Sequence, residues 1–391
     1  MSDTILTFNA GSSTVKLGVY AVERGALRYL ARAGIDFRDD PLEVRLTLGG
    51  DRLAHPLEGV DSGDMGAVLK AALDWLAQHV DLDGIAAIGH RVVHGGDLFP
   101  GPALIDDASL KQMAGLSRLA PLHQPQNLRL IEAMRALRPE VVQTASFDTA
   151  FHATQDPLAR RFALPRALHD QGIRRYGFHG LSYRSIAGAL HDTGLPVDAR
   201  VVVAHLGSGA SLCAMQGGIS RDSSMGFSTL DGIPMATRCG ALDPGVLLHL
   251  LGPMGWSLER VERMLYHESG LLGVSGLDAD SRELLESPAP EAAEAIALFC
   301  LRIAGEAARL AATMGGIDAL VFTAGIGENQ PRIRTMVAER LGWLGLALDP
   351  AANAANAHRI SRPDSPVAAF VIPTDEERII AEEALGLRRR A

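Results

Sequence analysis

The sequence predicts an α/β protein built from two similar domains, and three observations lead to that fold class. The chain has 391 residues, and at about 100–200 residues per domain this length favours two domains. A strand–turn–strand pattern near the N-terminus returns about two hundred residues later. In each half, a helical segment then precedes an apolar strand and a small-residue loop, which is typical of α/β domains.

The first repeated element is a pair of strands around a turn of small polar residues. Thr4–Tyr20 has alternating apolar residues on both sides of Asn9-Ala10-Gly11-Ser12-Ser13. In the second half, the strands Val201–Ala204 and Leu212–Met215 flank Gly207-Ser208-Gly209-Ala210-Ser211. The repeat indicates two related α/β domains that face one cleft.

The second repeated element is an apolar strand that ends in a glycine-containing segment. Ile85–Ile88 runs into Gly89-His90-Arg91, and Ala319–Phe322 runs into Thr323-Ala324-Gly325-Ile326-Gly327. The helix before the first strand is predicted by apolar residues at helical spacing, namely Leu69, Leu73, Leu76 and Val80. Glu291–Met314 is apolar over most of its surface and predicts a helix buried between layers.

The C-terminal part of the chain carries further helix signals. Gln330-Pro331 predicts an N-cap followed by a first helical residue. Thr374 followed by Glu377 predicts a capping box that begins a C-terminal helix, while Asp349–Asn356 is compatible with a surface helix or a connector. We expect a first domain over residues 1–148, a second over 149–373, and a helix over 374–391 that packs back on the first.

Composition excludes several classes of protein. The net charge of −9 argues against the basic surface that nucleic-acid binding requires. No apolar stretch approaches the ~18–20 residues that span a bilayer, and no basic and apolar leader marks the N-terminus. Three widely spaced cysteines, Cys213, Cys239 and Cys300, predict three free, buried thiols. These features favour a cytoplasmic protein without a membrane or nucleic-acid partner.

The basic residues are very unevenly divided, with 34 arginines and only three lysines, Lys16, Lys70 and Lys111. A preference for arginine codons explains most of this split. Lys16 nevertheless stands out because it follows the first small-residue turn, although a strand lysine facing solvent is the simpler interpretation. Ser13-Thr14-Val15-Lys16 matches the S-x-x-K of serine–lysine acyl enzymes, but the K-T-G partner motif is missing.

The glycine-rich segments suggest phosphate binding without matching a standard nucleotide motif. The sequence contains no Walker A motif and no complete G-x-G-x-x-G after a strand. Asn9–Ser13, Gly207–Gly209 and Gly325–Gly327 are small-residue turns at strand ends, where backbone N–H groups can approach phosphate oxygens. Taken singly, each is equally well explained as an ordinary turn.

Charged and imidazole side chains mark the same strand ends. Arg91 and Arg238 lie beside glycines, where a guanidinium could bind a carboxylate or phosphate. Asp148 follows a strand-like run, at the end where α/β sites cluster. For His179 a packed, hydrogen-bonded role is the alternative, and for Glu376 the alternative is a favourable charge in the first turn of a helix. His90 and His94 lack the glutamate of a zinc-binding H-E-x-x-H helix.

These motifs, taken in chain order, resemble those of the acetate kinases, a family within the superfamily of actin-like, sugar-kinase-like and Hsp70-like phosphotransferases. The resemblance covers essentially the whole chain. It implies two actin-like, or ribonuclease H-like, domains flanking a central cleft, with most of the nucleotide site on the second domain. The motifs that carry it are Phe8–Lys16, Gly89–Gly96, Phe147–His152, Arg175–Gly180, His205–Ser211, Met235–Gly240, Thr323–Asn329 and Thr374–Glu377.

The resemblance implies reversible, Mg²⁺-dependent phosphoryl transfer from ATP to acetate, giving acetyl phosphate and ADP, with Mn²⁺ as an alternative metal. It implies catalytic roles for Asp148, His179 and Arg238, acetate binding by Arg91, and an apolar methyl pocket of Val93, Leu122 and Phe178. It assigns the metal region to Asn9 and Glu376, and the nucleotide to Lys16, His205, Leu206, Gly207, Ser208, Gly209, Asp280, Ser281, Arg282, Gly325, Ile326, Gly327, Glu328 and Asn329. The family also suggests a homodimer.

The chain departs from the family pattern at four positions. Ser208 replaces a frequent Asn, Thr229 a frequent Pro, Ala241 a frequent acidic residue and Ser281 a common Phe. These departures leave propionate or another short-chain acid as alternative substrates. A non-catalytic nucleotide switch of the Hsp70 or actin type is the alternative from another class, which has no need for Arg91, His179 and Arg238.

Overall fold

The computed structural model describes residues 3–11 and 14–390, so Ser12 and Ser13 of the first turn lie outside the described residues. The chain divides into two compact units: the residues up to Phe151 together with those from Asp375 onward, and His152–Thr374. The strands are β1 (Thr4–Ala10), β2 (Thr14–Glu23), β3 (Ala26–Asp36), β4 (Glu43–Leu48), β5 (Asp51–Pro56), β6 (Ile85–Val92), β7 (Ala103–Leu104), β8 (Val142–Phe147), β9 (Arg200–Leu206), β10 (Ala210–Gln216), β11 (Ile219–Ser223), β12 (Ala319–Thr323) and β13 (Ala368–Val371). The helices are α1 (Met65–Leu76), α2 (Asp107–Gly115), α3 (Gln124–Leu137), α4 (Arg166–Asp170), α5 (Gly180–Ala189), α6 (Pro244–Leu251), α7 (Leu258–His267), α8 (Gly270–Ser275), α9 (Ser281–Glu286), α10 (Pro290–Thr313), α11 (Ala324–Asn329), α12 (Pro331–Arg340), α13 (Pro350–Ala354) and α14 (Glu376–Arg388).

The two sheets are separate, but each contains the same five-stranded arrangement. In the first unit the order is β5-β4-β3-β2-β1-β6-β8-β7, and in the second it is β11-β10-β9-β12-β13. In both, a three-stranded antiparallel meander continues through two parallel strands, so β3-β2-β1-β6-β8 corresponds to β11-β10-β9-β12-β13. The predicted internal repeat is therefore confirmed at the level of strand order and direction.

Close packing on the sheet of the first unit explains a glycine in β6. The C-terminal helix α14 packs on β1, β6 and β8. A Cβ at Gly89 would lie 2.5 Å from Ile380 Cγ2, so only glycine lets the helix approach the strand this closely. Ile380, Ala381 and Ala384 of the helix are fully buried. This contact fixes the first turn of α14 near the ends of the parallel strands.

The second unit is built around α10. The predicted helix over Glu291–Met314 is observed over Pro290–Thr313, with Pro290 in its first turn. Ile296, Phe299, Ile303 and Leu310 are buried, and the helix packs on β9, β10 and β11 as well as on neighbouring helices. The prediction of a helix buried between layers is confirmed.

The structure tests several local predictions made from the sequence. The C-terminal helix begins one residue later than the capping box predicted, because Asp375 is the N-cap and accepts a hydrogen bond from Arg378 N at 3.1 Å. For Asp349–Asn356, where a surface helix and a connector were both compatible with the sequence, the structure shows a short helix, α13. The three cysteines are free as predicted, with Cys239 only half-buried. Among the described residues, no helix is long and apolar enough to cross a membrane.

Candidate active site

The first unit brings charged side chains to the carboxyl ends of three neighbouring strands. β1 pairs in parallel with β6, and β6 pairs in parallel with β8. Asn9 lies near the end of β1, Arg91 near the end of β6, and Asp148 directly after β8. Parallel strands end at the same edge of a sheet, so these side chains, far apart in sequence, become neighbours.

Arg91 and Asp148 form a forked ion pair in which Asp148 is buried and the side chain of Arg91 is 15% exposed. Arg91 Nη2 donates to Asp148 Oδ2 at 2.6 Å, and Arg91 Nε lies 3.1 Å from both carboxylate oxygens. Burial raises the pKa of Asp148, an effect that the positive charge of Arg91 opposes. Burial lowers the pKa of Arg91, but the carboxylates of Asp148 and Glu376 more than offset this, so the guanidinium stays charged. A pair of this geometry orients both side chains firmly.

The side-chain amide of Asn9 connects this pair to the C-terminal helix. Asn9 Oδ1 accepts from Arg91 Nη1 at 3.1 Å, and Asn9 Nδ2 donates to Glu376 at 2.8 Å and to Glu377 at 3.0 Å. These partners fix the orientation of the amide, since its nitrogen faces carboxylates and its oxygen faces a guanidinium. Asn9 is thereby suited to hold Glu376 in place.

Glu377 and Arg32 complete the network. Glu377 is only 4% exposed, and it accepts from Arg32 Nη2 at 3.1 Å as well as from Asn9. Arg32 Nη2 also lies 3.5 Å from Asp375. Glu377 therefore anchors α14 to the sheet instead of serving as the partner of a capping threonine.

Three other predicted residues of the first unit differ in exposure. Lys16 is exposed within β2, with its backbone in register with Asn9 and Gly34. Val93 is buried, and its N–H donates to Asn127 Oδ1. Leu122 is 42% exposed, so within this unit it does not share the buried environment of Val93.

In the second unit, two histidines stack on each other: His205 lies near the end of β9, and His179 directly precedes α5. The rings of His179 and His205 lie 4.2 Å apart between centroids, at an interplanar angle of 21°. The Nδ1 atom of His179 lies 2.8 Å from Ser211 Oγ, and the Nδ1 atom of His205 lies 2.8 Å from Ser182 Oγ. Because each Nδ1 is engaged by a hydroxyl, each ring is held with its Nε2 pointing the other way.

His179 has an unusual backbone conformation. It is the N-cap of α5 with φ of 57°, in the left-handed region that non-glycine residues rarely adopt. The preceding Gly177 also has a positive φ, and a Cβ there would lie 2.5 Å from the ring of His152. Such backbone conformations persist when the surroundings hold them, and they concentrate at functional sites.

Arg238 and the first glycine turn of this unit lie next to His179. A Cβ at Gly209 would lie 3.5 Å from His179 Nε2 and 3.8 Å from Arg238 Nη1. Arg238 Nη1 donates to the carbonyl of Thr229 at 3.3 Å. Thr229 is one of the four positions that differ from the family pattern, and its backbone helps to hold the arginine. The structure thus brings His179, Gly209 and Arg238 together, as the sequence motifs predict.

The two predicted nucleotide segments differ in structure. Gly207, Ser208 and Gly209 form the tight turn between β9 and β10, directly after His205 and Leu206 at the end of β9. The segment Gly325–Asn329 is not a loop, because residues Ala324–Asn329 form the short helix α11. Ile326 lies inside that helix, and Asn329 Nδ2 donates back to Gly325 O. The predicted helix after Gln330-Pro331 is confirmed, although the Gln330 side chain makes no capping bond.

The segment Asp280-Ser281-Arg282 begins α9. Asp280 is the N-cap, and Ser281 is buried. Arg282 is exposed and folds back on Asp280, with Nη2 at 2.5 Å from Oδ2. Asp280 and Arg282 therefore form an ion pair with each other at the start of α9.

The chain is similar to known proteins over nearly its whole length. The model of the acetokinase family matches residues 4–382. The chain belongs to the acetokinase family. Acetate kinases from Rhodopseudomonas palustris (strain TIE-1) and Rhizobium meliloti are 49% and 44% identical to it, covering 99% and 98% of this chain and 99% and 98% of their own lengths.

The solved structures that are similar to this acetokinase chain include a propionate kinase and an acetate kinase. A propionate kinase from Francisella tularensis subsp. tularensis SCHU S4 superposes with a TM-score of 0.91 at 34% identity, over 98% of this chain and 99% of its own. The acetate kinase of Porphyromonas gingivalis has a TM-score of 0.88 at 33% identity, over 99% and 100%. The predicted α/β fold with two actin-like units is confirmed. Membership in a family of phosphotransferases also favours an enzyme over a nucleotide switch.

Sequence reasoning missed four residues that support the acetokinase site. Arg32, Glu377, His152 and Arg334 hold other candidate site residues in place. Arg32 and Arg334 lie outside the motifs named above, whereas His152 and Glu377 each end one of them without having been given a role in the site. His152 Nε2 lies 2.9 Å from Phe178 O and its Nδ1 lies 2.9 Å from Ser220 Oγ, so it supports the backbone beside His179. Phe178 itself is 1% exposed. A signal was present for Glu377, since it stands in the motif that contains Glu376.

Proposed function

We propose that this protein catalyses the reversible transfer of the γ-phosphoryl group of ATP to acetate, giving acetyl phosphate and ADP. The observation that carries the proposal is Arg91, a partly buried guanidinium at a strand end whose orientation is fixed by Asp148 and Asn9. A guanidinium has five N–H donors, and these contacts use three of them. The other two suit the carboxylate of a short acid.

The reaction requires no general base on the acid. Acetate is ionised at neutral pH, so its oxygen attacks the phosphorus without losing a proton. The transition state of phosphoryl transfer is loose, and the protein acts by positioning and by balancing charge on the equatorial oxygens. We assign that role to Arg238 and His179, while Arg91 binds the acid and Asp148 holds Arg91.

The residues of the first unit fit a magnesium ion of the kind kinases use. Mg²⁺ is commonly bound by one or two carboxylates plus substrate phosphates rather than by a protein cage. Glu376 and Asp148 supply such carboxylates, and no group of three His, Cys, Asp or Glu side chains able to hold a metal occurs among the described residues. We propose that Glu376 holds the ion, Mg²⁺ or Mn²⁺, with Asn9 orienting Glu376. The ion would neutralise charge on the phosphates.

The nucleotide role is proposed for the second unit. The turn Gly207–Gly209 and the segment Gly325–Asn329 present small residues that allow backbone N–H groups to approach phosphates. Asp280–Arg282 would face the adenosine, and Lys16, exposed on β2, would reach the phosphates. Leu122, Val93 and Phe178 are proposed to meet the methyl group of acetate.

Trapping of the acyl phosphate with hydroxylamine tests the reaction. The protein with Mg-ATP should give acyl hydroxamate with acetate, propionate and butyrate in decreasing order of kcat/KM. Absence of hydroxamate with every acid would exclude the kinase reaction. An optimum on propionate would favour the second candidate, which the high TM-score to a propionate kinase supports.

The metal role of Glu376 has its own test. Glu376→Ala should raise the Mg²⁺ concentration needed for half-maximal activity, whereas exposed Glu382→Ala on the same helix should not. An unchanged Mg²⁺ dependence in Glu376→Ala would return Glu376 to the role of a favourable first-turn charge.

We further propose a cytoplasmic homodimer. The compartment is supported by the three free cysteines. The dimer is supported by α6, none of whose residues is buried although it is mostly apolar; Leu248 is 71% exposed. Light scattering should give twice the chain mass, and Leu248→Glu should shift the protein toward monomer.

A further inference from the structure

Arg334, in α12, is the largest fully buried side chain among the residues that the structure describes. Its guanidinium makes hydrogen bonds only to neutral acceptors. Nε donates to Asn353 Oδ1 at 2.7 Å, and Nη2 donates to Asn353 O at 2.7 Å and to Asn356 Oδ1 at 2.6 Å. Nη1 donates to Gly327 O at 2.8 Å and to Glu328 O at 2.9 Å.

The two contacts of Nη1 fall on the segment that resembles a nucleotide loop. Gly327 and Glu328 lie in the C-terminal half of α11, where helix carbonyls have no intrahelical partner. Arg334 supplies that partner from the following helix. The opposite side of the guanidinium is fixed by Asn353 and Asn356, so this one side chain ties α11 to the segment around α13.

The charge of Arg334 is unusual for a structural residue. None of the carboxylates in the described part of the chain forms an ion pair with it, and burial lowers its pKa to about 10, which leaves it charged at neutral pH. Buried charges are normally paired, because removing them from water is costly. A neutral side chain could fill the same space without that cost.

We propose that Arg334 is a positioning residue of the nucleotide site, which fixes Gly325–Asn329 in the shape that binds the nucleotide and supplies positive charge behind that segment. The proposal rests on the function proposed above. The uncompensated cation favours an anionic ligand over this segment, and the fork of hydrogen bonds prevents α11 from shifting. Arg334 is not proposed to contact the nucleotide or the acid directly.

The test measures ADP binding by titration calorimetry and the separate KM values for Mg-ATP and acetate. Arg334→Met should raise the Kd for ADP and the KM for Mg-ATP at least tenfold while leaving the KM for acetate within about twofold. Arg334→Lys keeps the charge but loses the forked hydrogen bonds. Its Kd for ADP and its KM for Mg-ATP should lie between those of the wild type and those of Arg334→Met. Guanidinium ion should partly restore ADP binding to Arg334→Ala.

Arg309→Met is the matched control, because Arg309 also anchors a helix of this unit, through Asp222 and Glu306. It should lower thermal stability without changing the Kd for ADP. If Arg334→Met loses stability to a similar extent and binds ADP like the wild type, the role is structural only and the proposal is wrong.

A milder variant covers the case in which Arg334→Met does not fold. Asn356→Gly removes one acceptor and tolerates the positive φ of 50° at that position. It should raise the Kd for ADP about threefold, and an unchanged Kd in both Asn356→Gly and Arg334→Lys would overturn the proposal. Wild-type protein that binds ADP but forms no acyl hydroxamate would refute the proposed reaction and leave this inference standing.

Discussion

The two units of this acetokinase hold their site residues by different means, although they share the same five-stranded core. In the first unit, ion pairs fix the side chains: Arg91 with Asp148, and Arg32 with Glu377. In the second, hydrogen bonds to hydroxyl groups join His179 to Ser211 and His205 to Ser182. The repeated fold therefore provides the strand ends, while the residues placed on them determine the chemistry.

The difference follows from what each unit is proposed to bind. A group that binds a carboxylate and a metal ion needs fixed charges of both signs, and burial makes a forked pair the stable way to hold them. Phosphate oxygens approached by backbone N–H groups need small residues and a rigid turn instead. The comparison predicts that substitutions in the first unit affect both stability and activity, while those in the second affect mainly activity.

Arg91→Ala should have the largest effect. We expect kcat/KM for acetate to fall at least ~10²-fold, because the variant loses the contact to the acid. The free energy of unfolding should fall by about 3 kcal/mol or more, because Asp148 is left buried without its partner. Acyl hydroxamate kinetics and urea unfolding measure the two effects. Activity near that of the wild type would remove Arg91 from the site.

Arg238→Ala should lower kcat/KM by at least ~10²-fold with a much smaller loss of stability than Arg91→Ala. The exposed Arg362, paired with Asp364 and given no role in the site, provides the matched control, and Arg362→Ala should leave kcat/KM unchanged. Equal losses of stability in Arg91→Ala and Arg238→Ala would contradict the contrast between the units.

The pH dependence of stability should show what the units have in common. Burial lowers the pKa of His90 in the first unit and of His152 in the second to about 4. Between pH 6.5 and 4 the unfolded chain then binds more protons than the folded one, so stability decreases as pH falls. Each histidine should remove about 2 kcal/mol between pH 7 and 5. His90→Gln and His152→Gln should each flatten this slope in urea unfolding, and an unchanged slope would show that the histidine titrates normally.

Arg32→Gln should have the smallest effect of the set. Arg32 is 46% exposed at its side chain and acts on the site indirectly, through Glu377, Asn9 and Asp375. We expect kcat/KM to fall about fivefold, with the Mg²⁺ requirement shifted upward because Glu376 is less well oriented. The exposed pair of Arg28 and Glu23 supplies the control, since Arg28→Gln should leave both values unchanged.

The fold could be predicted from the sequence because its signals are local. Apolar strands, the long apolar helix and the repeated turns were all visible along the chain. The error at Gly325–Gly327 arose because a glycine-rich segment after a strand predicts a turn, whereas Arg334, seven residues beyond Gly327, satisfies its carbonyls and permits a helix. The shift of the cap from Thr374 to Asp375 has a similar cause, since Glu377 is committed to Asn9 and Arg32.

The site was predictable only where a residue lies in a motif. Arg91, Asp148, His179 and Arg238 lie in motifs that carry the family resemblance. Arg32 and His152 contribute through contacts with residues more than twenty positions away, which no local pattern encodes. The exposure of Leu122 likewise depends on how α3 and its preceding turn pack, which its neighbours in sequence do not reveal.

The contact between α14 and β6 has a consequence for biosynthesis. The sheet of the first unit is translated early, but the helix that covers Gly89, Ile5 and Ala87 leaves the ribosome only after the whole second unit. We therefore expect the second unit to reach its native state first, while the apolar face of the earlier sheet waits for its cover. Proteolysis of stalled nascent chains would reveal this order as protection of residues 152–374 before residues 4–92.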